Sequence, residues 1–544
     1  MLVLGVRGSG KSTQSKNLAQ DYNLFHCSSG DLARQGLDPL AELRDILTKE
    51  FSKETRSSQG KYNGLVLDRF VAASAMDVYY LLALIEKFDL RLNLVIHLAV
   101  NADTGKERAA QRDNESKPKS DSRRLVEQHL LRDVNKNLFS GSGVLVDICD
   151  GSAEEVYHQI KAAVEETIAA PKRPVVVLPR GSLEDGSQLV TDYFLYKEVK
   201  HALHDTMGTP ALKHDSFPGS QMTGQMTEDI WKKYFKQLPT YFVTLKADGK
   251  RVLMVKHKER IFVFPSKFTS MYELAAKNTP KVLHELTSSE ADKNHNTGIH
   301  FAFDCEFVIS LKTKKYSYFV FDYLFMNNKK ATMVTFPERY KAIKELFGAS
   351  SAWTNVFVKE FVPVCEIPKL LPALDDPELP FEIDGLVFQH SGFYRVPQDK
   401  QVFKWKPREM CSVDFRLCNG RYYMDADGDE RWAFDLATLA VGADGVKDER
   451  PYKDATLDVS DSEAQKFGLA NGVVVEAVKT PLKRNRPKPV EEVEEASPTY
   501  WTFLRVRTDK MYPNSEETAI FIDTMKHWSL EDLKKACQHV KPMN

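Results

Sequence analysis

The stretch "YFVTLKADGKRVLM", residues 241–254, sets a group of charges into a strand-like frame. Tyr241, Phe242, Val243 and Leu245 lead in, Val252, Leu253 and Met254 lead out, and Lys246, Asp248, Gly249, Lys250 and Arg251 stand between. The apolar flanks read as strands and Asp248-Gly249 as a turn, which leaves Lys246 at a strand rim. Around it runs a chain of 544 residues, 42% hydrophobic, long enough for roughly two to four domains. Lys and Arg number 75 against 76 Asp and Glu, so a nucleic-acid partner would meet a local basic groove, not a global attraction. The seven cysteines form no CxxC pair, which fits a reducing compartment, and neither they nor the fourteen histidines show zinc spacing. No apolar run spans a bilayer and no signal-peptide layout opens the chain, so it reads as soluble and intracellular.

Strand and helix patterns alternate through "MLVLGV" (1–6), "GLVLDRF" (64–70), "LNLVIHLAV" (92–100), "GVLVDICDG" (143–151) and the helical "SAEEVYHQIKAAVEE" (152–166). That alternation predicts an α/β domain with a parallel sheet over residues 1–170, and a proline-punctuated linker follows at 171–180. Residues 181–415 read as α+β, and 416–520 as a small β-barrel with turns at Asp427-Gly428, Asp444-Gly445 and Asn471-Gly472. The low-complexity run 483–498 reads as a loop of that barrel, its "KRNRPK" (483–488) being a solvated charge run, a nuclear address or an RNA-touching loop. In the last segment, 521–544, Ser529 and Asp532 cap a helix expected to pack back on the 181–415 domain. "DADGDE" (425–430) hints at calcium, but its glycine falls early and Leu436 takes the twelfth position, so it reads as a hairpin turn.

"GVRGSGKST" (5–13) places Gly5, Gly10, Lys11 and Ser12 in the G-x-x-x-x-G-K-[ST] pattern directly after a strand. Gly5, Gly8 and Gly10 let backbone N–H groups cradle phosphates, Lys11 reaches the β/γ oxygens, and Ser12, with Thr13 behind it, faces Mg²⁺. Asp68 closes "LVLD" and is either the acidic partner of that metal or a plain strand-end residue. "SSGDLAR" (28–34) and the segments 112–138 and 143–160 resemble adenylate kinases and other nucleoside monophosphate kinases. The resemblance implies that Asp31 and Arg34 meet the acceptor phosphate, that Arg108 contacts ATP, and that Arg112 and Arg124 (or Arg123) clamp the transferred phosphoryl. The sequence departs after Asp68: where the family has an aspartate-glycine-phenylalanine-proline-arginine run, this chain has "DRFVA", so one phosphate arginine is missing or Arg69 replaces it.

K-x-D-G-x-R at Lys246 is followed by "FDCEFV" (303–308), "YFVFDYLFMNN" (318–328), "EIDGLVFQ" (382–389), "VFKWKPREMCSVDFRL" (402–417) and "WTFLRVRTDKMYPN" (501–514). In that order they resemble the motif series of the covalent nucleotidyltransferases, and "KWKP", "RTDKMYPN" and the upstream "FPGSQ" (217–221) resemble mRNA capping guanylyltransferases rather than ligases. The resemblance makes the barrel an OB-fold and Lys246 the nucleophile that takes GMP from GTP. A free lysine titrates near ~10.4, so Lys404, Lys406 and a bound Mg²⁺ (or Mn²⁺) are expected to favour the free amine. It further implies that Gly249 brings backbone close, that Arg251 holds ribose or acceptor phosphate, and that Glu306 and Asp384 serve ribose and metal. Phe321 and Val387 would sandwich guanine, and Arg507, Asp509 and Lys510 would orient the β/γ-phosphates when the barrel closes. Cys305, where the family has glycine, is expected to pack.

A guanylyltransferase fused to a kinase and lacking triphosphatase motifs is similar to a kinase–guanylyltransferase type of capping enzyme. The fusion implies that ATP phosphorylates 5′-monophosphate RNA to 5′-diphosphate RNA, which Lys246–GMP then caps, a recapping pathway that points to the cytoplasm rather than the nucleus. RNA 5′ ends are the expected partners, with a separate cap methyltransferase a further one, and the chain is expected to be a monomer. Two other readings stay open: an ATP-dependent RNA repair kinase–ligase, and a capping enzyme whose P-loop domain only binds nucleotide or RNA.

Overall fold

The structure, a computed structural model, describes residues 1–5, 8–52, 55, 61–70, 75–100, 104, 108, 145–169, 185–208, 217–266, 268, 270–274, 280–286, 297–310, 314–348, 355–374, 381–407, 410–425, 427–441, 447–479, 500–507, 510, 512–525 and 528–540. They fall into two compact units. The first comprises Met1–Asp205, Pro210–Ser216 and Phe262–Ala275, and the second Thr206–Thr209, Phe217–Ile261 and Ala276–Asn544.

In the first unit, β1 (Leu2–Gly5), β2 (Leu24–Ser28), β3 (Gly64–Asp68), β4 (Val95–Ala99) and β5 (Leu145–Cys149) form a sheet of order β2-β3-β1-β4-β5. Every pairing is parallel. Successive residues of these strands feed opposite cores, as a sheet covered on both faces requires. Leu2, Leu65, Leu67 and Val95 pack with Leu43, Leu47 and Leu81, while Val3, Val66 and Ile96 pack with Leu18, Ile160 and Val164. The covering helices are α1 (Lys11–Asp21), α2 (Ser29–Arg34), α3 (Pro39–Phe51), α4 (Ala75–Lys87) and α5 (Ala153–Ala169). From β1 the chain runs to the edge strand β2, returns to β3 beside β1, and then crosses β1 to β4 and β5 on the other side. The carboxyl end of β1 is therefore the topological switch point, where open α/β sheets bind ligands.

In the second unit, one sheet has the order Val362–Pro363, β7 (Tyr241–Ala247), β11 (Ile383–His390), β12 (Gln398–Trp405), β6 (Gln221–Gln225). Another pairs β8 (Lys250–His257) with β9 (Ile299–Ile309) and β9 with β10 (Tyr316–Met326), all antiparallel. Thus β7 and β8, two residues apart, lie in different sheets: the turn at Asp248-Gly249 is a crossing between sheets and not a hairpin. Gly249 is needed there because a Cβ would stand 2.8 Å from Glu306 Cγ and 2.9 Å from the Phe307 carbonyl.

Further on, β13 (Ser412–Met424), β14 (Glu430–Val441), β15 (Lys447–Ser460), β16 (Val474–Lys479) and β17 (Tyr500–Val506) close a barrel of order β13-β14-β15-β17-β16. Its interior holds Phe415, Leu436, Tyr452, Leu457, Val475 and Trp501. Gly428 and Gly472 take left-handed φ values of 87° and 91° in its turns, as Asp-Gly and Asn-Gly turns demand. At 425–430 the Asp425 carboxylate accepts the N–H groups of Asp427 and Asp429, which spends it on the turn. Asp444-Gly445 and 483–498 lie outside the described residues. Ser529 and Asp532 form a reciprocal capping box on the helix Leu530–Cys537. Trp528, Leu533 and Cys537 enter the core built on Tyr241, Val243, Leu386 and Trp405.

Candidate active sites

The first site lies at the carboxyl end of β1. Gly8 and Gly10 have φ of 80° and 86°, and at Gly5 (φ 153°) a Cβ would meet Ser9 Oγ at 2.6 Å and the Leu98 carbonyl at 3.1 Å. These three positions therefore admit only glycine without strain, and they bring the loop onto the start of α1. Lys11 is buried there. Loss of hydration, and then the charge of Arg69, lower its ammonium to about 8 against the pull of Asp68. Ser12 Oγ donates to Asp68 Oδ2 at 2.6 Å, and Ser28 Oγ donates to the same oxygen at 3.2 Å. Two hard oxygens meeting beside a phosphate loop suit Mg²⁺ whose other ligands come from nucleotide and water.

The departure after Asp68 has a backbone reason. Residue 69 sits at φ 58°, the left-handed region where glycine is at no cost and arginine is not. Its N–H donates to the Val3 carbonyl at 3.1 Å, which holds it beside the loop. Arg34 pairs with Asp31 on the exposed face of α2, and Arg108 donates to Asp150 at 2.9 Å. Thr13 is exposed on α1. Arg112, Arg123 and Arg124 lie outside the described residues.

The second site is a cavity of ≈ 270 Å³ lined by Lys246, Gly249, Arg251, Glu306, Phe321 and Val387, together with Ser220, Asp304, Lys359 and Tyr394. The two sheets supply facing walls: β7 and β11 carry Lys246 and Val387, while β8, β9 and β10 carry Arg251, Glu306 and Phe321. Lys246 Nζ donates to both Asp384 oxygens, at 2.7 and 2.8 Å, and Lys406 meets the same carboxylate at 2.5 Å. Gly385 (φ 149°) makes this possible, since a Cβ there would stand 2.0 Å from the Trp405 carbonyl and 3.2 Å from Lys406 Cα. Lys404 is exposed on β12, yet lost hydration, then Lys406 and Lys246, hold its ammonium below the ordinary value. Cys305 is fully buried, and burial raises its thiol well above the ordinary value, so it packs.

Arg251 is tightly engaged. Its Nε and Nη2 donate to Asp304 at 2.8 and 2.5 Å, and its Nη1 to the Ser220 carbonyl at 2.6 Å. Burial opposes its charge, but Asp304 outweighs this and raises the guanidinium above its usual range. The "FPGSQ" segment builds the roof: the Phe217 ring lies 4.7 Å from the guanidinium, and a Cβ on Gly219 would strike that ring at 2.4 Å. Lys359 pairs with Glu306, and its backbone N–H donates to the Val320 carbonyl at 2.8 Å, beside Phe321. Among the described residues no three His, Cys, Asp or Glu side chains gather as a metal site. A divalent ion here would take ligands from nucleotide phosphates beside Glu306 or Asp384.

Arg507 and Lys510 stand elsewhere, on the barrel. Arg507 Nη1 donates to Asp414 Oδ1 at 2.8 Å, and Lys510 pairs with the other oxygen. The Asp414 backbone exchanges bonds with Asn514, N–H to Oδ1 at 2.7 Å and carbonyl from N–H at 2.8 Å. Asp509 lies outside the described residues. Sequence reasoning did not single out Asp304, Lys359, Tyr394 or Asp414. Asp304 and Asp414 sit inside quoted motifs, whereas Lys359 and Tyr394 carry no local signal.

Residues 185–408 match the family model of the mRNA capping enzyme catalytic domain, and residues 4–126 that of an AAA domain. The mRNA-capping enzyme of Mus musculus is 30% identical over 169 residues, which are 31% of this chain and 23% of that protein. The adenylate kinase of Bartonella tribocorum is 27% identical over 175 residues, 28% of this chain and 91% of that protein. The chain thus spans less than a quarter of the mouse capping enzyme and nearly all of the bacterial kinase. Solved structures give weaker likenesses. A Lig E DNA ligase has a TM-score of 0.26 at 14% identity, covering 53% of this chain and 99% of that one. The ligase domain of M. tuberculosis LigD has a TM-score of 0.26 at 12% identity, covering 54% and 95%. Two regions are therefore joined in one chain, one similar to adenylate kinases and one to capping-enzyme catalytic domains.

Proposed function

We propose that the second unit is a GTP:RNA guanylyltransferase and the first a kinase that prepares its RNA substrate. The carrying observation is Lys246, a lysine at the edge of a nucleotide-sized cavity whose Nζ is aimed by both oxygens of Asp384. The unprotonated amine attacks the α-phosphorus of GTP, the bond to the pyrophosphate oxygen breaks, and a Lys246–GMP phosphoramide remains. A terminal oxygen of 5′-diphosphate RNA then attacks the same phosphorus, the lysine leaves, and a GpppN cap is formed. Mg²⁺ (or Mn²⁺), when bound, neutralises phosphate charge. Phe321 and Val387 flank the base, and Lys404 and Lys406 face the α-phosphate.

Lys359, whose backbone lies beside Phe321, supports GTP over ATP once its ammonium leaves Glu306 for the base edge. An ammonium only donates, which suits the O6 and N7 acceptors of guanine and opposes the amino group of adenine. Arg507 and Lys510 reach the β/γ-phosphates, which Asp509 also helps to orient, only after leaving Asp414, so closure of the barrel, which we read as an OB-fold, includes that exchange. In the first unit Lys11 and Arg69 hold the ATP phosphates while the monophosphate end of an RNA, received near Arg34, attacks the γ-phosphorus. ADP leaves, and the acceptor gains one phosphoryl with no net proton. Arg108, Arg112 and Arg124 belong to the same clamp. Such recapping places the chain in the cytoplasm with RNA 5′ ends as partners. Among the described residues no helix is long and apolar enough to cross a membrane.

The test supplies 5′-monophosphate RNA, ATP and α-labelled GTP to wild type, Lys11→Ala and Lys246→Ala. Wild type is expected to make GpppN, Lys11→Ala to cap only diphosphate RNA, and Lys246→Ala to cap neither. Labelling of Lys246 by ATP instead of GTP identifies a repair ligase and overturns this reading. Capping of diphosphate but never monophosphate RNA reduces the first unit to nucleotide or RNA binding.

A further inference from the structure

We propose that Tyr394 is a positioning residue which, through Asp304 and Ser220, fixes the Arg251 guanidinium so that its two unused donors grip the ribose diol of the bound nucleotide. This rests on the guanylyltransferase reading of the cavity. Four residues close a ring of hydrogen bonds. The Ser220 N–H donates to Tyr394 Oη at 2.8 Å, and Tyr394 Oη donates to Asp304 Oδ2 at 3.1 Å. Asp304 receives the Nε and Nη2 donors of Arg251, whose Nη1 returns to the Ser220 carbonyl. Burial, then the charge of Asp304, push the Tyr394 phenol well above its ordinary value, so it stays a hydroxyl able to accept and donate at once.

An arginine has five N–H donors, and the ring uses three of them. The remaining two, one on Nη1 and one on Nη2, belong to a guanidinium that lines the cavity. Asp304 is fully buried and neutralises the guanidinium. What Arg251 offers the cavity is thus a rigid pair of donors with its charge already answered, better matched to neutral hydroxyl oxygens than to a phosphate. Glu306 supplies the complement. It lies directly opposite Arg251 in the β8–β9 register, where side chains on one face meet, so a diol hydroxyl can accept from Arg251 and donate a hydrogen bond to the Glu306 carboxylate. Tyr394 itself is held from behind: the Arg339 guanidinium lies 5.4 Å from its ring and pairs with the buried Asp322 at 2.7 Å.

The experiment measures formation of the Lys246–GMP adduct by the full chain from GTP and from 2′,3′-dideoxyGTP, for wild type and Tyr394→Phe, with thermal midpoints taken alongside. Wild type should prefer GTP. Tyr394→Phe should lose about tenfold in kcat/KM for GTP, the scale of one buried hydrogen bond, mainly through KM. It should lose little for the dideoxy analogue, so the preference collapses. Arg251→Gln, which removes the fork, should show the same collapse and serves if Tyr394→Phe does not fold. Equal losses for both nucleotides, or an undiminished preference, overturn the proposal and leave the guanylyltransferase reading intact. Absence of any adduct in wild type overturns both.

Discussion

Replacing Gly385 by alanine tests the geometry that aims Lys246 more directly than removing any charged group. The added Cβ would lie 2.0 Å from the Trp405 carbonyl oxygen, and such contacts do not fall below 3.0 Å. β11 and β12 must therefore part by about 1 Å at the point where Asp384 and Lys406 face each other. Two costs add. A non-glycine residue in this φ region costs about 1–3 kcal/mol, and overpacking between paired strands costs about 1–3 kcal/mol more. We expect a loss of stability of about 2–6 kcal/mol. A displacement of about 1 Å in a reacting group also costs on the order of a hundredfold in rate, because Asp384 can no longer present both oxygens to Lys246. Urea unfolding reads the first effect and single-turnover formation of labelled Lys246–GMP the second. A Gly385→Ala protein with unchanged midpoint and adduct rate would falsify the close approach as the organising constraint.

Asp384→Asn keeps the shape of that side chain but removes the charge shared by Lys246 and Lys406, and should slow adduct formation about a hundredfold while the GTP affinity seen in equilibrium binding changes little. Arg69→Gly should relieve about 1 kcal/mol of left-handed strain and raise the melting temperature, yet lower phosphoryl transfer at least tenfold; a less stable, fully active variant would reverse both signs. Asp414→Asn removes the charge shared by Lys510 and Arg507, which keeps its 3.4 Å contact with Glu476, and because Lys510 is partly exposed we expect about 2–3 kcal/mol of lost stability rather than the full cost of breaking a buried pair, read by thermal unfolding. Lys11 predicts a pH effect. Its pKa is about 8 in the folded chain against 10.5 ordinarily, so the folded protein loses this proton first and the group adds stability as pH rises from about 8 to about 10.5. Bound phosphates favour the charged form, so ATP binding should take up close to one proton near pH 9 and almost none near pH 7. Calorimetry in two buffers of different ionisation enthalpy measures this, and pH-independent heats would refute it.

Much of this protein is decided locally. A phosphate loop needs only a strand, three glycines and a helix start in succession, so Gly5, Gly8, Gly10 and Lys11 announced it without any long-range contact. The barrel showed itself through Asp427-Gly428 and Asn471-Gly472, because a turn's backbone demand falls on the residue that makes it, and Ser529 with Asp532 marked a helix start for the same reason. The ordered motifs from Lys246 to Lys510 likewise carried the resemblance to capping-enzyme catalytic domains in their residue types. Tertiary structure decided what depends on distance. The turn at Asp248-Gly249 looks like any strand connection until β7 and β8 are seen to pair with different partners, and that crossing is what sets Lys246 opposite Arg251 and Glu306. Lys359 and Tyr394 have no neighbours in sequence that betray them; they acquire their roles from Glu306 and Asp304, 53 and 90 residues away. The hold of Asp414 on Arg507 spans 93 residues. Hydrogen-bond rings and ion pairs are properties of side chains brought within about 3 Å, and only the packed sheets bring them there.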